Sequence, residues 1–75
     1  MTRLPQVTAR KMLAALQRAG FVIRRVKGSH HFLRHRDDPR RETVIALHPG
    51  DLPEGTVREI LKQAGLSRDQ FVKLL

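Results

Sequence analysis

Only two residues, Gly28 and Ser29, separate the run FVIRRVK (21–27) from the run HHFLRHR (30–36). Both runs are rich in β-branched and aromatic side chains, which is the composition of strands. So short a connection leaves only an antiparallel hairpin, because parallel strands need a crossover of a dozen or more residues. Glycine supplies the positive φ that such a turn demands. After Asp37-Asp38-Pro39, a turn or loop, ETVIALH (42–48) reads as a third strand. The segment therefore predicts a three-stranded antiparallel meander. Its turn, Lys27-Gly28-Ser29-His30-His31, carries two of the chain's four histidines with basic residues on both sides. That setting suits chemistry on a phosphate.

Helical patterns flank the meander. Met12, Leu13, Leu16 and Ala19 recur at three- and four-residue steps, with Thr8 as N-cap and Gly20 as the stop. Downstream, Val57, Ile60, Leu61 and Ala64 form a second stripe that Gly65 ends, with Leu66 packing back across it. Asp51 is a candidate cap for that helix, with Pro53 in its first turn, and a start at Thr56 is the alternative. Ser67-Arg68-Asp69-Gln70 has capping-box spacing ahead of a short helix bearing Phe71, Leu74 and Leu75. Residues 1–6 read as a loose arm, with Arg3 free to touch a partner. The order α-β-β-β-α plus a short extra C-terminal helix predicts one α+β domain. The helices cover one face of the sheet and leave the other wet.

Side-chain alternation then sorts the strands. With residues 37–41 as the loop, Arg36 faces Glu42, Phe32 faces Ala46 and His30 faces His48. Leu33, Ile45 and Leu47 share the buried face. His30, Phe32, Arg34, Val44 and His48 share the open one, where Phe32 is a partly exposed aromatic. The first strand has two readings. A two-residue loop buries Val22 and Val26 but takes Arg24 with them. A loop one residue longer buries Phe21 and Ile23, which their larger apolar surface favours.

Seventy-five residues make a single domain with a modest core, since a chain of this size buries about 60% of its unfolded surface. No cysteine is present to staple it or to offer a thiolate metal site, which fits a reducing cytosol. With neither a signal-peptide pattern nor a membrane-length apolar run, a soluble, cytoplasmic protein is expected. Fifteen Lys and Arg against seven Asp and Glu give a formal charge of +8. That balance favours a polyanionic partner, either nucleic acid or an acidic protein. Arg58, Lys62, Arg68 and Lys73 read more simply as the charged surface of helices.

The histidines admit two chemistries. Metal binding fits poorly. His31 and His35 would lie about 13 Å apart along a strand, and His30 and His31 point to opposite faces. General acid–base catalysis fits better, because imidazole exchanges protons near neutral pH without a cofactor. Cleaving RNA needs a base for the 2′-hydroxyl, an acid for the leaving 5′-oxygen and positive charge for the phosphate. His30 can be base or acid, and His48 its partner across the strands. Arg25, Lys27 and Arg34 supply charge, and with Ser29 and Phe32 they make the candidate RNA-binding set. The plainer reading makes His30 an ordinary turn residue and His48 a strand end. The chain would then be a basic module that binds RNA, or docks on an acidic partner, without cutting. His31 and His35 read as packing or surface residues.

The ordered set Gly20-Phe21, Arg25, Lys27-Gly28-Ser29-His30-His31, His48-Pro49-Gly50 and Gly55-Thr56-Val57-Arg58-Glu59-Ile60-Leu61-Lys62-Gln63-Ala64-Gly65-Leu66-Ser67 resembles the HicA family. These are small toxins of type II toxin–antitoxin modules. The likeness runs from about Thr8 to Phe71. It implies a double-stranded-RNA-binding-domain-like fold, ribosome-independent cleavage of mRNA, and neutralisation by a HicB-type antitoxin; with the acid–base reading of the histidines, the expected enzyme is a metal-independent endoribonuclease. The family's active histidine follows the Gly-Ser pair, which is His30 here. In some members it comes one place later, which would be His31. Double-stranded-RNA binders of this fold span two minor grooves of a duplex of about 16 base pairs, whereas a cutting toxin needs its strand splayed against the histidine; the sequence does not choose between the two, and single-stranded mRNA is the expected substrate. No cofactor or metal is called for.

Overall fold

The computed structural model describes residues 3–75, in the order α1 (Ala9–Arg18), β1 (Phe21–Lys27), β2 (His30–His35), β3 (Glu42–Ala46), α2 (Glu54–Ala64) and α3 (Arg68–Leu74). The three strands form one antiparallel sheet in the order β1-β2-β3. The helices pack on one side of it, as the α+β pattern predicts. Met12 and Leu16 of α1, Leu33 of β2, Ile45 of β3 and Phe71 of α3 are the largest fully buried side chains, so every layer contributes to one core.

The helix ends follow local chemistry. Thr8 Oγ1 accepts a hydrogen bond from Lys11 N at 3.2 Å, satisfying one of the orphan donors at the start of α1. Gly65 takes a left-handed conformation, φ 70°, and Leu66 N reaches back to Leu61 O, as a Schellman closure requires. Ser67 and Gln70 form the reciprocal capping box. Asp51 does not cap α2. Pro53 holds that position without a side-chain bond, and Asp51 bridges Thr8 instead. Residues 4–7 are not loose either. Val7 is buried, Leu4 packs on the core, and Leu52 N donates to Val7 O at 2.8 Å. Arg3 is exposed, and the first two residues of the expected arm lie outside the described residues.

The β2–β3 pairing is shifted by two residues from the predicted one. His30 faces Ala46, Phe32 faces Val44 and Arg34 faces Glu42. The turn is the cause. Asp38 Oδ1 accepts from both the backbone N and the Nε of Arg40, and Arg41 N bonds Asp38 O, so the loop closes between His35 N and Arg41 O. The Arg40 side chain also holds the Asp38 carboxyl below the usual carboxylate range. Arg36 leaves the hairpin and donates its N–H to Gly20 O. A shift of two preserves which face each side chain takes. Leu33 and Ile45 are therefore buried as expected, while β3 stops at Ala46 and His48 falls beyond the sheet.

Both readings of the first strand are half right. The loop is the short one, with Lys27 opposite His30, yet Phe21 is buried and Ile23 half-buried. A β-bulge reconciles them. Ile23 pairs with Leu33 and Arg25 with Phe32, leaving Arg24 as the extra residue. Alternation inverts there, so neither Arg24 nor Arg25 enters the core, and Val22 and Val26 stay exposed.

Candidate active site

The register writes the open face of the sheet as three rows. Lys27, His30 and Ala46 form the first. Arg25, Phe32 and Val44 form the second, and Val22, Arg34 and Glu42 the third. The predicted residues Arg25, Lys27, His30, Phe32 and Arg34 thus share one surface. Gly28, at φ +58°, takes the positive φ at the first position of the two-residue turn, and Ser29 completes the connection. His30 follows directly, exposed, and its ring has no hydrogen-bond partner among the described residues. Lys27 stands across from it on one side, and the small side chain of Ala46 leaves the other side open.

The charges on this face are not equivalent. The Arg25 guanidinium lies 4.5 Å from the centre of the Phe32 ring, so the two form one stacked platform. Arg34 Nε donates to Glu42 Oε1 at 2.8 Å, which offsets its charge. Lys27 and Arg24 make no ion pair among the described residues. Arg24, Arg25, Phe32, Arg34 and Val44 all line a cleft of about 530 Å³. Arg24 is the residue that strict alternation missed. The signal was the doublet itself, since two adjacent arginines in a half-buried strand require a bulge to keep both out of the core.

The other histidines do different work. His31 lies on the core side between Val26 and Ile45, half-buried. Its Nδ1 is 3.1 Å from Ser29 O, and because a carbonyl only accepts, Nδ1 carries the hydrogen and ties the ring to the turn. His35 is fixed at both nitrogens. Nε2 donates to Ala19 O at 2.9 Å and Nδ1 accepts from Asp37 N at 3.1 Å, with the ring edge-on to Phe21. His48 is not opposite His30, where Ala46 sits instead. It meets the turn through Ser29, Nε2 to Oγ at 3.4 Å. Ser29 is the hub, because its carbonyl also accepts from Leu47 N at 2.8 Å.

Other cations hold the fold. Arg41 Nε donates to Ala64 O at 2.7 Å, closing the end of α2, and its guanidinium lies over the Phe21 ring. Arg18 does the same for α3 through Leu74 O at 2.7 Å. Among the described residues no three His, Asp or Glu side chains gather as a metal site requires. No helix there is long and apolar enough to cross a membrane.

A family model described as the HicA toxin of bacterial toxin–antitoxin systems matches residues 9–66, from the first residue of α1 to the residue after Gly65. No curated protein matches the chain.

Proposed function

Because the chain belongs to the HicA toxin family, whose members have a cognate antitoxin, we propose that it is a metal-independent endoribonuclease that cleaves mRNA at His30. The observation that carries this reading is the position of His30. Of the four histidines, it alone is exposed on the open cationic face with both ring nitrogens unengaged among the described residues.

The chemistry follows from the geometry. The 2′-hydroxyl gives up its proton as its oxygen bonds phosphorus, and the bond to the 5′-oxygen breaks as that oxygen gains a proton. The products are a cyclic phosphate and a free 5′-hydroxyl. His30 makes one of these proton transfers. The Lys27 ammonium, opposite it in the ladder, faces the charge that develops on the phosphate. Arg24 and the Arg25–Phe32 platform take the strand on the open face, by phosphate contact and by base stacking. That arrangement suits single-stranded mRNA, and such a substrate places the protein in the cytoplasm. His48 acts on the turn through Ser29 and is a positioning residue. A HicB-type antitoxin would meet this face with acidic groups and cover His30.

The test is cleavage of an unstructured RNA in EDTA by wild type and by His30→Ala, His31→Ala and His48→Ala, each first checked for folding and RNA binding. Abolished cleavage in His30→Ala, with at most a partial loss in His48→Ala, supports the reading, and abolished cleavage in His31→Ala moves the site one position. RNA binding without cleavage by any form overturns it in favour of a binding module.

A further inference from the structure

Beyond the end of β3 the chain makes a fixed loop. His48 N donates to Ala46 O at 3.1 Å and turns the backbone, and Gly50 takes φ +91°. The loop is held at both ends. Leu47 N bonds Ser29 O on the side of the β1–β2 turn, and Asp51 and Leu52 bond Thr8 and Val7 on the side of α1. Between the loop and the start of α1 lies a cavity of about 400 Å³, lined by Thr8, Arg10, Leu47, His48, Pro49 and Gly50. It falls within the roughly 300–1,000 Å³ of small-ligand clefts.

Its walls have a definite chemistry. Arg10 is exposed and makes no ion pair among the described residues. His48 offers an imidazole, and Leu47 and Pro49 offer apolar surface. Among the described residues no carboxylate lines the cavity. By contrast, the neighbouring cavity under residues 3–6 sets the two carboxylates Asp51 and Glu54 against the one cation Arg3, and favours a phosphate less. Position adds to this. His48 is also the residue 3.4 Å from Ser29 Oγ, so the cavity shares a wall with the turn that carries His30. A cation, a ring and apolar surface are the groups that hold a nucleotide by its phosphate and its base.

We propose that this cavity is a nucleotide subsite for the RNA substrate, with Arg10 binding a phosphate and His48 and Pro49 facing the base or sugar. This deepens the ribonuclease reading and rests on it for the substrate. It extends the RNA path from the open sheet face, past the turn, to the first turn of α1.

The experiment has two arms. In the first, isotope-labelled His30→Ala protein is titrated with a 2′-O-methyl RNA pentamer, whose blocked 2′-oxygens cannot attack and which therefore cannot be cut. Amide shifts at Arg10, Leu47, His48 and Gly50 are expected. In the second, cleavage by Arg10→Gln is compared with cleavage by Lys11→Gln, an exposed cation one residue on that does not line the cavity. Arg10→Gln is expected to raise KM about tenfold with kcat little changed, the loss of one charge-assisted hydrogen bond. Lys11→Gln is expected to match wild type. A cavity silent to the pentamer while wild type cleaves overturns the subsite, as does an Arg10→Gln variant indistinguishable from Lys11→Gln. Shifts in the cavity with no cleavage by wild type support the subsite and overturn the ribonuclease reading instead.

Discussion

His48 Nε2 stands 3.4 Å from Ser29 Oγ, and so the loop after β3 is joined to the residue immediately before His30. This contact replaces the strand-to-strand pairing of His30 with His48 that the sequence suggests. It changes what His48 is expected to do.

In the cleavage step at saturating RNA, where it acts through Ser29, His48 needs only a hydrogen-bonding group in place of its ring. His48→Gln is therefore expected to keep most of the cleavage rate, while His48→Ala falls about tenfold, the worth of one neutral hydrogen bond. Single-turnover rates across pH make the measurement. Equal losses in both variants, with one limb of the pH profile removed, would make His48 a proton donor and defeat the positioning role.

His30 is expected to behave differently. Removing a group that transfers a proton in the reaction costs roughly 10²–10⁴-fold in rate. His30→Ala should lose at least the lower figure, with unchanged affinity for an uncleavable 2′-O-methyl strand. A parallel loss of affinity would show that the ring holds the RNA rather than attacking it.

Gly20 tests the fold apart from the chemistry. It has φ +100°, and a Cβ built there would lie 3.0 Å from His35 Nε2, the atom that donates to Ala19 O. Gly20→Ala should lower unfolding stability by about 1–3 kcal/mol in urea. Activity per folded molecule should stay the same. A variant as stable as wild type would mean that the His35 contact is not constraining.

Two arginines should separate by observable. Arg41→Ala removes a part-buried bond to Ala64 O and should cost about 1.5–3 kcal/mol of stability, with RNA affinity unaltered. Arg24→Ala should leave stability unchanged and reduce the slope of log affinity against log salt by about 0.7, the value for one phosphate contact to a single strand. The converse pattern would reverse their assignments.

Much of this was legible in the sequence. The caps at Thr8, Gly65 and Ser67 depend on residues within five positions of one another, and all three formed as their chemistry dictates. Which face His30, Phe32, Leu33 and Ile45 occupy was also legible, because strand alternation is insensitive to a slip of two. The pairing partners were not. The ladder was set by Asp38, whose side chain closes the turn on Arg40 and takes Arg36 out of the hairpin. Asp51 showed the same weakness, since a bridge to Thr8, far off in sequence, took it from its expected cap. Total charge was the least informative guide. Arg18 and Arg41 close helices 56 and 23 residues away, and nothing in their local sequence distinguishes them from Arg24.

The bulge at Arg24 also bears on how the molecule behaves in a crowded solution. β1 is an edge strand, and a straight edge with exposed Val22 and Val26 would invite another chain to zip onto it. One supernumerary residue puts the unpaired N–H and C=O groups out of step with any regular partner, and Arg24, Arg25 and Lys27 make a second copy repel the first. The same local irregularity that sorts core from cationic surface thus guards the β1 edge against pairing with a second copy.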